Sequence, residues 1–129
     1  MFVKENINPS GKKNSDCVIR AIAKAEGKTW LDVFDTLTMI ARTNYGVLND
    51  SKIYGEYLDK YPTVTVKCQV NGKLKRLTVA DVCRLEGIYI VKIAKHLTVV
   101  IDGKCCDTWD CTQKSAYKIW KIPQGEGGR

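Results

Sequence analysis

Apolar and polar positions change rhythm once along this chain. Between residues 16 and 61 apolar side chains recur every three or four positions, the spacing of one helix face. In "CVIRAIAKAE" the stripe is Val18, Ala21, Ile22 and Ala25, with Asp16 placed to cap the helix and Gly27 to stop it. In "TWLDVFDTLTMIARTN" it is Trp30, Val33, Phe34, Leu37 and Ile40, and Thr29 with Asp32 comes close to a capping box. A third helix is predicted over "SKIYGEYLDKY", ending before Pro62. Residues 1 to 15, broken by Asn8-Pro9 and Ser10-Gly11, read as irregular.

After Pro62 the period falls to two. "TVTVKCQV" alternates as one strand, and Asn71-Gly72 turns it into "KLKRL". Thr78 caps a short helix, "VADVCRLE", which Gly87 stops. "GIYIVKIA" reads as a buried strand. "HLTVVI" and "KCCDTW" follow, joined by a second hairpin signal at Asp102-Gly103, and "AYKIWKI" is the last strand. Helices first and strands later predict an α+β fold, with N-terminal helices packed on a C-terminal antiparallel sheet. A single domain is expected over residues 1–122, without repeat or internal linker, and a disordered tail over 123–129.

Charge and cysteine content narrow the picture. The net charge of +7 admits an anionic partner, yet the lysines are scattered. The densest group, Lys67, Lys73, Lys75 and Arg76, straddles the Asn71-Gly72 turn and forms a candidate basic partner surface. "MFVKENINPSGKK" lacks the apolar core of a signal peptide, and no run reaches the roughly 18 apolar residues of a membrane span. The six cysteines are therefore expected as free thiols in a reducing, cytoplasmic setting, with no membrane partner. A buried free cysteine is often no more than a small apolar residue.

The only histidine, His96, opens the strand before the Asp102-Gly103 turn. A two-residue turn there pairs Ile101 with Lys104, Val100 with Cys105, Thr98 with Asp107 and His96 with Trp109. His96, Thr98, Val100, Cys105, Asp107 and Trp109 then share one face. His96 and Asp107 become diagonal neighbours about 7–8 Å apart, near enough for the carboxylate to hold the imidazole in one tautomer. Asp110 would take that part only if the turn had three residues, because a one-residue slip exchanges the faces. Cys17 falls in the first turn of its predicted helix, where unpaired N–H groups favour a thiolate. Cys68, Cys83 and Cys106 lack that setting, and Cys105 lies beyond Asp107 along the hairpin.

A helix-start cysteine, then a histidine opening a strand, then an acid on the next strand: this order resembles papain-like cysteine peptidases. "SDCVIRAIA" resembles their nucleophile helix, and "HLTVVIDGKCCDTWD" their histidine hairpin, close also to transglutaminase-like proteins. More narrowly, the chain resembles small uncharacterised proteins of phages and their bacterial hosts. These share the "DCVIRAI" helix, a "KTW" helix and a late "HLT…DGK…DTWDC" hairpin. The resemblance implies a minimal papain-like fold with Cys17 as nucleophile, His96 as general base and then acid, and Asp107 as orienting group. It implies acyl transfer from a peptide, isopeptide or related amide, with no cofactor. The protein would work in the cytoplasm, the host's if the chain is phage-encoded. The family's glutamine before the cysteine is missing. Asn8 and Asn14 are the available amides, and Asn8 is the expected oxyanion donor, alongside the Cys17 N–H.

Two other readings compete. A zinc site could use His96 with Cys105, Cys106 or Cys111, but no Cys-x-x-Cys occurs and adjacent cysteines on a strand point apart. A non-catalytic papain-like protein could instead bind a host protein or nucleic acid through its basic surface. Tyr54, Tyr57 and Tyr61 would suit base stacking, although their helical spacing suits a core better.

Overall fold

A computed structural model describes residues 1–13 and 15–124. Asn14 and the expected tail from residue 125 onward lie outside the described residues. The helices are α1 (Cys17–Glu26), α2 (Trp30–Thr43), α3 (Ser51–Leu58) and the single turn α4 (Val79–Val82). The strands are β1 (Phe2–Lys4), β2 (Thr63–Val64), β3 (Lys67–Val70), β4 (Lys73–Arg76), β5 (Ile88–Ile93), β6 (His96–Ile101), β7 (Lys104–Asp107) and β8 (Lys118–Ile122). Six strands form the main sheet in the order β1-β7-β6-β5-β8-β2, and β3 with β4 form a separate hairpin. The fold is α+β.

Both faces of the main sheet are covered. On one, Val18, Ile22, Leu37 and Leu58 of α1–α3 pack with Ile88, Ile90, Leu97, Val99 and Trp120. On the other, Val79 and Val82 of α4 pack with Tyr89, Val91, Val100, Cys105 and Ile119. This explains why "IYIV" in β5 is apolar throughout instead of alternating. Each large apolar side chain so buried contributes about 1.5–3 kcal/mol before conformational entropy is set against it.

Local chemistry fixes most boundaries. Thr29 caps α2 by accepting from the Asp32 N–H, and Thr78 with Asp81 completes a capping box on α4. Gly27, at φ 67°, ends α1 in the left-handed conformation. The β6–β7 turn has φ 46° at Asp102 and 84° at Gly103, the left-handed pair that a two-residue hairpin turn demands.

Four expectations are corrected. The sheet is mixed, because β1 lies parallel to β7, pairing Phe2 with Cys105 and Lys4 with Asp107. A three-residue edge strand is too short to carry a period, so residues 1–15 read as irregular. "TVTVKCQV" is two strands in different sheets. β2 pairs with β8, whereas β3 pairs with β4, and the Thr65 hydroxyl takes the chain round the corner by accepting from the Lys67 N–H. The third helix stops at Leu58, and Asp59 instead accepts from Lys118 and from the Trp120 indole. Finally, Asp16 occupies the N-cap position of α1 but makes no side-chain cap. Its carboxylate is committed elsewhere.

Candidate active site

The site lies where the N-terminus of α1 meets the end of the β6–β7 hairpin. The two-residue turn sets the register, with Ile101 opposite Lys104 and Val100 opposite Cys105. Continued along the hairpin, that register brings His96 and Asp107 together. His96 Nε2–H donates to Asp107 Oδ2 at 2.6 Å. The Thr98 hydroxyl donates to the same oxygen, also at 2.6 Å. Asp107 Oδ1 accepts from the Thr108 N–H at 2.7 Å and from Arg20 Nη1 at 3.1 Å. Trp109 lies against the imidazole, ring centres 5.0 Å apart. With Nε2 committed to Asp107, Nδ1 is the ring nitrogen left for a partner on the other side.

That partner is Cys17. Its thiol lies beside the His96 ring and the Leu97 backbone, in the same cavity wall. Cys17, His96, Leu97 and Trp109 line one cavity of about 620 Å³. Burial by itself would raise the Cys17 pKa. The neighbouring His96 ring, the Leu97 backbone N–H and the positive charge of His96 and Arg20 outweigh it and hold the thiol below its ordinary 9.0. His96 is pushed up to about 9, against the effect of burial, by Asp107 on one side and Cys17 on the other. Asp107 is held at about 2 although burial opposes it, chiefly by its bonds from His96 and Thr98. The two shifts move the pair toward a thiolate beside an imidazolium, with the Asp107 carboxylate behind the ring. A shielded anionic sulfur of this kind can attack an electrophilic carbon, and the ring can return a proton to a leaving group.

Behind these three residues runs a buried polar chain that the sequence reading did not foresee. Arg20 Nε donates to Asp16 Oδ1 at 2.8 Å while its Nη1 reaches Asp107, so one guanidinium ties the helix start to the acid of the hairpin. Asp16 Oδ2 accepts from the Trp30 indole and from the Asn8 amide, each at 2.9 Å. The signal was present in the sequence: Arg20 stands three residues after Cys17 and four after Asp16, on one helix face, interrupting an apolar helix.

The structure brings Cys17, His96 and Asp107 together and leaves Asn8 apart from them. The Asn8 amide donates to Asp16, its oxygen accepts from the Ser10 N–H and hydroxyl, and it does not line the cavity. Its work is to fold the loop behind Asp16. Tyr54 does line the cavity, and its hydroxyl has no hydrogen-bond partner among the described residues. It belongs to the stripe Tyr54, Tyr57, Tyr61. Tyr54 packs edge-on against Trp120, and the hydroxyls of Tyr57 and Tyr61 donate to buried Glu26, so this stripe faces the fold and is not a stacking platform. Of the basic group, Lys67, Lys73 and Lys75 project from the β3–β4 hairpin, while Arg76 is half-buried and donates to the Ala116 carbonyl.

His96, Asp107 and Cys111 offer three donor atoms within 4.8 Å of one another. Two of those atoms, His96 Nε2 and Asp107 Oδ2, are already hydrogen-bonded at 2.6 Å. That is too close to admit an ion bound at about 2.0 Å to each in tetrahedral geometry, so the donors as arranged do not fit zinc. No helix among the described residues is long and apolar enough to cross a membrane. No family model, curated protein or solved structure matches the chain.

Proposed function

We propose that the protein is a small papain-like thiol hydrolase or acyl transferase acting on a peptide, isopeptide or related amide. The observation that carries this reading is the placement of His96, bonded through one nitrogen to Asp107 and adjacent through the other to a helix-start thiol. In the proposed reaction the Cys17 sulfur attacks the carbonyl carbon and a C–S bond forms. His96 gives its proton to the departing amine as the C–N bond breaks. Water, or an acceptor amine, then attacks the thioester while His96 takes the proton back, and the thiolate is restored. Asp107 stays ionised throughout and steadies the imidazolium. The Cys17 N–H, unpaired at the helix start, is one donor to the oxyanion. Tyr54, with its uncommitted hydroxyl, is the side chain available as the second.

Alkylation with iodoacetamide at pH 7, mapped thiol by thiol, tests the reading. Cys17 is expected to react first, ahead of the exposed Cys68, and to lose its lead in His96→Ala. Reaction of Cys17 no faster than Cys68 would remove the nucleophile. The second reading, a non-catalytic binder, draws support from the exposed lysines of the β3–β4 hairpin. It predicts salt-dependent retention on a polyanion that disappears when Lys67, Lys73 and Lys75 are neutralised together.

A further inference from the structure

The cavity beside Cys17 is cationic in a way the reaction itself does not require. Its walls include Arg20, Lys92 and Lys95, with Ser15, Asn49, Ser51 and Thr108 as neutral polar neighbours, and no acidic side chain. Arg20 is neutralised by its two carboxylates. Lys92 and Lys95 are not: neither has an ion-pair partner among the described residues, and of the unpaired lysines these two line the groove beside Cys17. The backbone of Lys95 is fixed in a tight turn, and its side chain is exposed. Lys95 is the second residue of that turn, which joins Ile93 to His96, at φ 54°, a conformation an L-residue with a long side chain adopts only at a cost. Lys92 sits on β5 between Leu97 and Lys118. Beyond it the groove continues into a second cavity of about 490 Å³, which shares Ser51, Tyr54 and Lys92 with the first and there sets Lys52 and Lys118 against Glu56 and Asp59.

We infer that Lys92 and Lys95 form an anion-binding subsite beside the thiol, and that the acyl substrate carries an acidic side chain next to the carbonyl that Cys17 attacks. This rests on the thiol-hydrolase reading above and adds a substrate class to it. Two unpaired ammonium groups in a walled groove attract a carboxylate more strongly than they would on an open surface. A side-chain carboxylate fits better than a free chain end, because the groove runs on past Lys92 and leaves room for peptide on both sides of the charge.

Two electrophiles that differ only in charge test this without requiring turnover. Iodoacetate and iodoacetamide alkylate a thiolate by the same displacement, forming a C–S bond and releasing iodide. The quantity read is the ratio of their rates at Cys17, with N-acetylcysteine amide in the same sample as the neutral reference thiol, because Cys68 lies opposite Lys75 and beside Lys67. The ratio at Cys17 is expected to exceed that of the reference thiol. It should fall about threefold in Lys95→Gln and about tenfold in the Lys92→Gln/Lys95→Gln pair, the effect of one and two water-screened charges at about 6 Å. Lys95→Arg should retain it. A ratio that survives loss of both lysines overturns the subsite, even where iodoacetamide alone still finds Cys17 most reactive. Loss of that preference for Cys17 would instead overturn the hydrolase reading itself. Capped dipeptide thioesters ending in glutamate or glutamine complete the test: the glutamyl ester should acylate Cys17 faster, and equal rates overturn the side-chain assignment.

Discussion

At the scale of single residues, His96 is the group on which the site turns. It lies between the Asp107 carboxylate and the Cys17 thiol, and its raised pKa has a consequence for stability. An unfolded histidine titrates near 6.5 and His96 near 9, so its charged contacts are fully present below pH 6.5 and are lost as pH rises through 9. Asp107 acts in the opposite sense, adding stability above pH 3.8 that is lost as pH falls through about 2. Cys17, held below its ordinary 9.0, also opposes His96, and over the same range of pH, because the folded thiol gives up its proton earlier than the unfolded one. In Cys17→Ala, where that offset is gone, the urea midpoint should drop as pH rises above 6.5, and adding His96→Ala should remove the drop. Asp107→Asn keeps the shape but frees the ring to take the wrong tautomer, and Cys17 acylation should slow by about 10²-fold or more. Tyr54→Phe separates binding of the oxyanion from activation of the thiol. Acylation by a thioester should fall about 10²-fold further than alkylation by iodoacetamide, which develops no oxyanion. Equal losses in the two reactions would leave Tyr54 as packing for Trp120.

At the scale of elements, the β6–β7 hairpin sets the geometry and its turn is the vulnerable point. A Cβ at Gly103 would meet the Cys83 carbonyl oxygen at 2.9 Å, and its φ of 84° disfavours any side chain. Gly103→Ala should destabilise the fold by about 1–3 kcal/mol in urea, and should slow alkylation of Cys17 by shifting the register that presents His96. This hairpin was the most legible part of the chain. Asp102-Gly103 names the turn, the turn names the register, and the register puts His96 and Asp107 on one face. Elements that depend on distant partners were not legible. β1 exists because β7 offers it an edge, with the Glu5 N–H closing on the Asp107 carbonyl, and nothing in "FVK" announces that pairing. Asp16 looked like a cap because the residue type and position fit one. The carboxylate is instead taken by Arg20, Trp30 and Asn8, two of which come from outside the helix. For the same reason Asn8 could not be assigned from sequence: an amide before the cysteine suits an oxyanion hole or a loop brace equally, and only the position of Asp16 decides between them.

At the scale of the whole molecule, α1 and the hairpin are joined by one guanidinium with two buried carboxylates. Arg20→Met leaves Asp16 and Asp107 without their shared cation. It should cost about 3–5 kcal/mol in urea unfolding, more than an exposed ion pair such as Lys118–Asp59 could account for. A loss below about 1 kcal/mol would mean that neighbouring donors already satisfy the two acids. The proposed nucleophile comes from residue 17 and the acid behind its histidine from residue 107, so a nascent chain carries its thiol long before the hairpin has been synthesised. Until β6 and β7 dock on α1, Cys17 has neither the imidazole nor the Leu97 N–H beside it, and it behaves as an ordinary, mostly protonated cysteine. On the proposed reading, nascent and denatured copies are thereby kept chemically quiet, and reactivity at this sulfur should report that the polypeptide has finished folding.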